Sequence, residues 1–333
     1  MKIVDIAQRS DAWRRWRSQG VTASEAAIIL NRSPYKTPWR LWSERVGIVL
    51  EANLDHHPLV RRGRELESQA AQWFEATHDE LLLPLCGECD QYPLIRASFD
   101  GMTGNGEPVE IKCPHPSTYQ TVVQEREQSA AYQLYWVQVQ QQLLVADAKR
   151  GYLCFYLDDQ HVKVFDNIAR DDAFLVALIN ATITFYGWVM TKKEPPKDLQ
   201  RDLYLPQGDA ETQWRQLAAE YRARQKKIDA LKAEIGPLAE LQAKTEAEWV
   251  AQMADYVIAE HSGVRVCRSV SQGGIDYKAA LTALLPQLTE AELAPYRKPP
   301  APRVRVTCRD DNGKNAQVAF DPASLAVTES SWF

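Results

Sequence analysis

No run of 18 consecutive apolar residues occurs in the 333-residue chain, so no membrane span is expected. The first twenty residues mix charges with tryptophans and lack the apolar stretch of a secretory signal, which points to the cytoplasm. Six cysteines are too few for a disulfide framework in a chain of this length. A surplus of positive charge is also missing: 39 Lys+Arg face 44 Asp+Glu, for a net charge of −5. That balance excludes a polybasic coat, so a polyanionic partner would need positive charge gathered locally. No internal repeat is present. What remains is an ordinary globular composition, 45% hydrophobic and 25% charged, with length enough for one large domain or two.

The clearest break lies at 194–210, where EPPKDLQRDLYLPQGD sets proline and charge between two periodic stretches. Residues 1–200 read as a first domain. The patterns predict helices over 9–18, from an N-cap at Thr22 with Glu25 three places on through about Leu30, and over 38–47, 59–77, 127–146 and 171–190. Strands are predicted at 91–99, 108–113, 150–157 and 161–166. The result is an α/β (α+β) layer design. Residues 211–260 read as one or two long helices, with Gly236-Pro237 as the break if there are two. Leu217, Tyr221, Ile228, Leu231, Ile235, Leu238 and Leu241 recur there at spacings of three, four and seven, which suits an amphipathic pair or a short coiled coil. Residues 261–333 read as a small α/β appendix. It has a strand in GVRVCRSV, a helix in IDYKAALTALL, a Pro-rich linker at 294–302, and a hairpin formed by PRVRVTCR and AQVAF.

The chemistry is concentrated in Ser98-Phe99-Asp100-Gly101, the loop MTGNGEP, and Val109-Glu110-Ile111-Lys112-Cys113-Pro114. Asn105-Gly106 is a strong turn signal, so the two strands should meet as a hairpin. Side chains two apart on a strand share a face. Glu110 and Lys112 therefore point the same way, with Ile111 turned to the opposite layer and Asp100 able to come beside them. Two carboxylates and an ammonium converging on a pleated surface suit metal-assisted phosphodiester cleavage. The lysine can orient a water or stabilise developing charge. The bland alternative is a surface hairpin with one salt bridge.

Three further features favour the chemical reading. Glu67 lies with Ala70, Ala71 and Phe74 at i, i+3, i+4 and i+7, which puts a carboxylate on a small apolar stripe where charge is rare unless paired or metal-bound. It is either a third acid of the site or the partner of Arg61, Arg62 or Arg64. In EQSAAYQLYWVQVQQQLLVAD, the residues Tyr132, Trp136, Val139, Leu143 and Ala146 form a core stripe, while Tyr135, Gln138 and Gln142 share an adjacent face. Residues 9–45 hold eight Arg/Lys against three acids, with Trp13, Trp16, Trp39 and Trp42 interleaved. Basic residues among aromatics suit phosphate contact with base stacking, although some of these tryptophans must be core. The helix start near Thr22, with Ser24, offers N–H groups to a terminal phosphate.

These motifs resemble the phage lambda-type alkaline exonucleases, or YqaJ-like viral recombinase nucleases, of the PD-(D/E)xK superfamily. The resemblance covers about residues 9–190 through WRRWRSQGVTASEAA, GRELE, SFDG, VEIKCP and YWVQVQQQLLV. It implies a restriction-endonuclease-like core, with a central mixed β-sheet flanked by helices; the mainly helical C-terminal extension over 211–333 lies outside the resemblance. It also implies a Mg²⁺-dependent enzyme, with Mn²⁺ as a possible substitute, that degrades one strand of linear duplex DNA from its 5′ end. The 3′ single strand left behind would pass to an annealing protein. A homotrimeric ring in a bacterial or phage-infected cell belongs to the same expectation. Residue by residue, Asp100 and Glu110 match the metal carboxylates, with the Ile111 carbonyl as a further ligand. Lys112 matches the catalytic lysine, Glu67 the helical acid and Gln138 the helix glutamine, with Tyr135 beside it. Arg17, Ser24 and Ser98, with Tyr135, match positions that grip the 5′-phosphate, and Trp13 stands where the duplex meets the break. Phe99 replaces the superfamily's proline.

Other readings keep the residues and change the role. An endonuclease of the same superfamily would cut closed circles. A non-catalytic DNA-end clamp for a recombinase would bind without cutting. An iron–sulfur nuclease would need four core cysteines, whereas the sequence offers a single Cys86-x-x-Cys89.

Overall fold

The structure is a computed structural model that describes residues 1–51, 58–269, 273–299, 306 and 318–319. It forms two compact units, one built on Met1–Tyr204 and one on Leu205–Asn312. In chain order the first unit runs β1 (Lys2–Val4), α1 (Asp11–Ser18), β2 (Val21–Thr22), α2 (Ala26–Ile29), α3 (Pro38–Arg45), β3 (Val49–Leu50), α4 (Pro58–His78), β4 (Leu85–Glu88), β5 (Ile95–Phe99), β6 (Gly101–Met102), β7 (Pro108–Lys112), α5 (Pro116–Glu125), α6 (Ala130–Ala146), β8 (Arg150–Asp158), β9 (His161–Ala169) and α7 (Asp172–Thr191).

Two four-stranded mixed sheets result, with orders β1-β4-β5-β2 and β6-β7-β8-β9. The chain passes from the first to the second at Asp100, between Phe99 and Gly101. β7 and β8 are parallel, so their connection must cross over, and α5 and α6 form it. One face of the second sheet packs on α6 through Val139, Leu143, Leu153 and Phe155. The other face packs on α4 through Ala70, Phe74, Val109, Ile111 and Cys154. This alternation along β7 sends Ile111 to one layer and Glu110 with Lys112 to the other.

Helix α6 also reaches the first sheet. Gln141 Nε2 donates to Val21 O and Arg96 O, both at 2.9 Å, and so seals the β2–β5 junction. Gln140 accepts from Asp171 N at 2.8 Å and donates to Ala169 O at 2.8 Å, which fixes the turn from β9 into α7. At the N-terminus, Trp16 Nε1 donates to Glu88 at 2.9 Å, and Arg96 donates to Trp16 O and lies over the Trp16 ring at 5.3 Å. These contacts pin α1 to β4 and β5.

Several expectations need correction. The strand expected at 91–99 begins at Ile95, and β4 and α5 had no predicted counterpart. The hairpin is β6–β7 rather than β5–β7: Gly101 pairs with Val109 and Met102 with Pro108 around a turn in which Gly106 takes φ +76°. The helix after Thr22 opens with a 3-10 turn over Ala23–Glu25. Of the four tryptophans, Trp16, Trp39 and Trp42 are core, with their indole N–H groups donated to Glu88, Glu194 and Trp188 O, so they cannot stack on bases. The basic surplus of residues 9–45 is largely spent in ion pairs: Arg9 with Glu67, Arg14 with Asp11, Lys36 and Arg40 with Glu44, and Arg45 with Glu25. By length and composition α7 is apolar enough to cross a membrane, with mean hydropathy 1.7 in its window. Here Leu175, Leu178, Thr182 and Phe185 form its buried face.

In the second unit α8 (Asp209–Gln252) is one continuous helix through Gly236 and Pro237. Strong helix formers on both sides, with the lost proline hydrogen bond exposed to water, carry it past that point. β10 (Ile258–His261) and β11 (Val264–Cys267) form an antiparallel hairpin, and α9 (Tyr277–Leu284) follows. Residues 294–296 of the expected extended linker form a 3-10 turn. The hairpin predicted for PRVRVTCR and AQVAF lies outside the described residues except for Val306, which is exposed, and Val318–Ala319, which pairs in parallel with β3.

Candidate active site

Asp100 stands at the switch between the two sheets, and its Oδ2 accepts the Ile111 N–H at 2.9 Å. Gly101 has to be small here, because a Cβ would come within 2.9 Å of Leu82. Glu110 is 1% exposed. Its Oε1 pairs with Lys112 Nζ and accepts Gln138 Nε2 at 2.6 Å, while its Oε2 accepts Gln142 Nε2 at 2.5 Å. A buried carboxylate is tolerable only when both oxygens are engaged in this way. Lys112 Nζ also lies 4.7 Å from the centre of the Tyr135 ring.

Glu67, from α4, closes the group. Its Oε2 accepts Arg9 Nη2 at 2.5 Å, an ion pair with Arg9 where the sequence pointed to Arg61, Arg62 or Arg64. Arg62 donates Nη1 to Pro114 O instead.

The electrostatics show a shortage of positive charge. Burial, then the Glu110 and Glu67 carboxylates, push the Asp100 carboxyl well above its usual range, against the pull of Lys112 and the Ile111 N–H. Burial works against the Lys112 ammonium, but Glu110 and Asp100 outweigh it and hold the lysine above its ordinary value. Burial and Glu67 raise the neighbouring Cys113 thiol to about 12, so that thiol is no nucleophile. Asp100 and Glu110 beside one ammonium form a donor pair that a hard divalent cation would satisfy together with main-chain oxygen. Among the described residues, no three His, Cys, Asp or Glu side chains stand ready as a metal-holding group. A cation would therefore rest on Asp100, Glu110 and main-chain oxygen. Ile111 can offer only its carbonyl, since its side chain is core.

A second cluster lies two residues back along the same strand. Ser98 Oγ accepts the Trp13 indole N–H at 2.7 Å. The Arg17 guanidinium lies over the Trp13 ring at 4.4 Å, and its Nη2 donates to Ser24 Oγ at 2.9 Å and Thr22 Oγ1 at 3.2 Å. Glu25 accepts from Thr22 N and Oγ1, both at 2.9 Å, and from Arg45 at 2.5 Å. Burial raises the Glu25 carboxyl, but Arg45, Arg17 and the Thr22 N–H together hold it below the usual range. Gly20 sets up this segment, since a Cβ there would run into the Leu94 carbonyl that accepts Val21 N.

The predicted residues thus fall into two groups. Asp100, Glu110, Ile111, Lys112, Glu67, Gln138 and Tyr135 stand together; Trp13, Arg17, Ser24 and Ser98 stand together. Tyr135, expected at the phosphate, is placed with Lys112. The sequence reading put Gln142 on the right face but gave it no role at Glu110. Tyr35 also went unrecognised. Burial and then Tyr135 raise its phenol to about 12, and a tyrosine in the turn NRSPYKT carries no periodic signal that would place it there. Cys86 and Cys89 are buried free thiols, and Cys86 donates to Ser98 Oγ at 3.6 Å.

Residues 12–149 match the sequence pattern of the YqaJ-like viral recombinase domain. The uncharacterized protein YqaJ of Bacillus subtilis is 28% identical over 181 residues, which are 53% of this chain and 55% of that one. The chain thus spans about half the length of that relative. Among solved structures, an alkaline exonuclease from Laribacter hongkongensis aligns over 55% of this chain and 94% of its own, at 21% identity and a TM-score of 0.48. A phage related exonuclease from Haemophilus somnus aligns over 52% and 96%, at 16% identity and a TM-score of 0.38.

Proposed function

We propose, from the match of residues 12–149 to the YqaJ-like viral recombinase domain, that the chain is a Mg²⁺-dependent exonuclease that digests one strand of linear duplex DNA from its 5′ end. The observation that carries this reading is the convergence of Asp100, Glu110 and Lys112 with Glu67 and Gln138.

Asp100, Glu110 and the Ile111 carbonyl would hold the cation, with Mn²⁺ as a possible substitute. When bound, it would acidify water and offset charge on the phosphate. The chain's own residues supply the rest. Gln138 and Gln142 fix the Glu110 carboxylate. Lys112, kept as ammonium by its carboxylate neighbours, donates to the reacting phosphate and stabilises charge as it develops. Tyr135 walls that ammonium. In the second cluster, Trp13 and Ser24 hold the Arg17 guanidinium in place. Among the described residues only its Nη2 is engaged, so its Nη1 or Nε N–H can donate to a 5′-phosphate in a charge-assisted hydrogen bond. Ser98, two residues before Asp100, ties the Trp13 side of the second cluster to the first along the chain. The 3′ strand left behind would serve an annealing protein. A homotrimeric ring around the DNA, in the cytoplasm of a bacterial or phage-infected cell, completes the proposal.

The test is one linear duplex with a 5′-phosphate at one end and a 5′-hydroxyl at the other, incubated with protein and Mg²⁺ beside a covalently closed circle. Stepwise loss from the phosphorylated 5′ end with an intact circle is the expected result. A cut circle would make the protein an endonuclease. Binding without cleavage in both Mg²⁺ and Mn²⁺ would make it a DNA-end clamp.

A further inference from the structure

The row of α4 that faces β7 and β8 is Leu66, Ala70 and Phe74, spaced by four. One turn toward the N-terminus, the same row carries Arg62. A charge on an apolar stripe is rare unless it is paired, and Arg62 is half-buried there. Its Nη1 donates to Pro114 O at 2.8 Å. The guanidinium therefore stands at the end of β7, beside the second residue past Lys112. Besides burial and Glu67, the groups that act on the Cys113 thiol are Lys112, Arg62 and Asp100. Arg62 thus belongs to the charged surroundings of the candidate active site.

What Arg62 lacks is a counter-charge. Among the described residues the Pro114 carbonyl is its one hydrogen-bond acceptor, and no carboxylate pairs with it. The acids nearby have other cations: Glu67 takes Arg9 and Glu110 takes Lys112. A guanidinium has five N–H donors in a planar fork. With Nη1 anchored on Pro114 O, the edge formed by Nε and Nη2 is left over, and that edge can meet two oxygens of one phosphate side by side. Lys112 projects from β7 toward the α6 layer, whereas Arg62 comes from α4 in the other layer. The two cations therefore flank the end of β7 from opposite sides.

We propose that Arg62 grips an internal backbone phosphate of the DNA through its Nε–Nη2 edge, on the α4 side of β7 and apart from the terminal phosphate assigned to Arg17. This rests on the nuclease reading and adds a contact that does not depend on the chemistry of the end. The test uses the full chain, as the natural protein, Arg62→Gln and Arg62→Lys. Glutamine keeps an N–H for Pro114 O and loses the charge; lysine keeps the charge. Binding of a labelled linear duplex is read by fluorescence anisotropy across a salt series without divalent metal. Arg62→Gln should bind about tenfold more weakly at low salt. It should also flatten the slope of log K against log[salt] by about 0.9, equally for 5′-phosphorylated and 5′-hydroxyl ends. Arg62→Lys should keep the natural slope. Weaker binding with an unchanged slope and a lowered melting temperature would make Arg62 a brace for Pro114 and overturn the proposal, as would a loss confined to phosphorylated ends. If the natural chain binds and cuts DNA and Arg62→Gln equals it, this proposal alone fails. If the natural chain neither binds nor cuts, the nuclease reading fails and takes the proposal with it.

Discussion

Glu110 shows how much of the site is set by single contacts. One buried carboxylate takes donors from Lys112, Gln138 and Gln142. Two of these donors sit one helical turn apart on α6, so the helix clamps one oxygen with each amide. Gln142 is fully buried, and among the described residues its own Oε1 has no partner, a cost set against the Nε2 donation to Glu110. Gln142→Leu leaves Glu110 Oε2 short of a donor. Such a loss to a buried charged group costs about 1–3 kcal/mol. We expect DNA cleavage to fall by about one to two orders of magnitude with DNA binding retained, as read by single-turnover kinetics beside a binding titration. Unchanged cleavage would show that Gln138 and Lys112 suffice. At the second cluster, Arg17→Ala should slow digestion of 5′-phosphorylated ends more than of 5′-hydroxyl ends. Equal losses on both would make Arg17 a general phosphate contact.

Helix α6 is the element that assembles the site. The run Gln138-Val139-Gln140-Gln141-Gln142 has one core residue, Val139, and four glutamines with three polar duties: Gln138 and Gln142 at Glu110, Gln140 at the β9–α7 turn and Gln141 at the β2–β5 junction. A hydropathy pattern shows only that such a run is polar. Its partners come from strands far away in sequence, and for this reason Gln142 had no role until the strands were in place. Gln141→Leu removes the donor to Val21 O and Arg96 O together with an unpaired Oε1. These two changes oppose each other, and a net loss of about 1–2 kcal/mol in urea unfolding is expected. Because β2 leads into the Thr22–Glu25 turn, the same variant should weaken 5′-phosphate discrimination more than it weakens Mg²⁺ binding.

Across the whole molecule, stability should depend on both pH and cations. Glu25 has a carboxyl held below its ordinary range when folded. Its contribution is therefore complete above the unfolded value and is lost as pH falls through the folded one. Thermal melts between about pH 5 and pH 2 should fall more steeply for the natural chain than for Glu25→Gln. Parallel curves would show that Arg45 keeps no preference for the charged form. The Asp100 carboxyl lies the other way, raised by burial and by its acidic neighbours, so a divalent cation should relieve it. Addition of Mg²⁺ at neutral pH should raise the melting temperature of the natural chain by binding the folded state alone. It should leave Asp100→Asn unmoved.

The sequence by itself determined the chemistry-bearing pairs that lie close along the chain. The i, i+2 spacing of Glu110 and Lys112, the Asn105-Gly106 turn and the Thr22–Glu25 capping pattern are local, and local geometry fixes where their side chains go. The heptad on α8 was legible for the same reason. Tertiary structure decided everything that required distant segments to meet. It put the sheet switch at Asp100, gave Glu67 to Arg9, grouped Tyr135 with Lys112, and buried three of the four N-terminal tryptophans. It also spent most of the local basic surplus on internal ion pairs. Composition counts charges and aromatics, but only packing determines which of them remain available to a ligand.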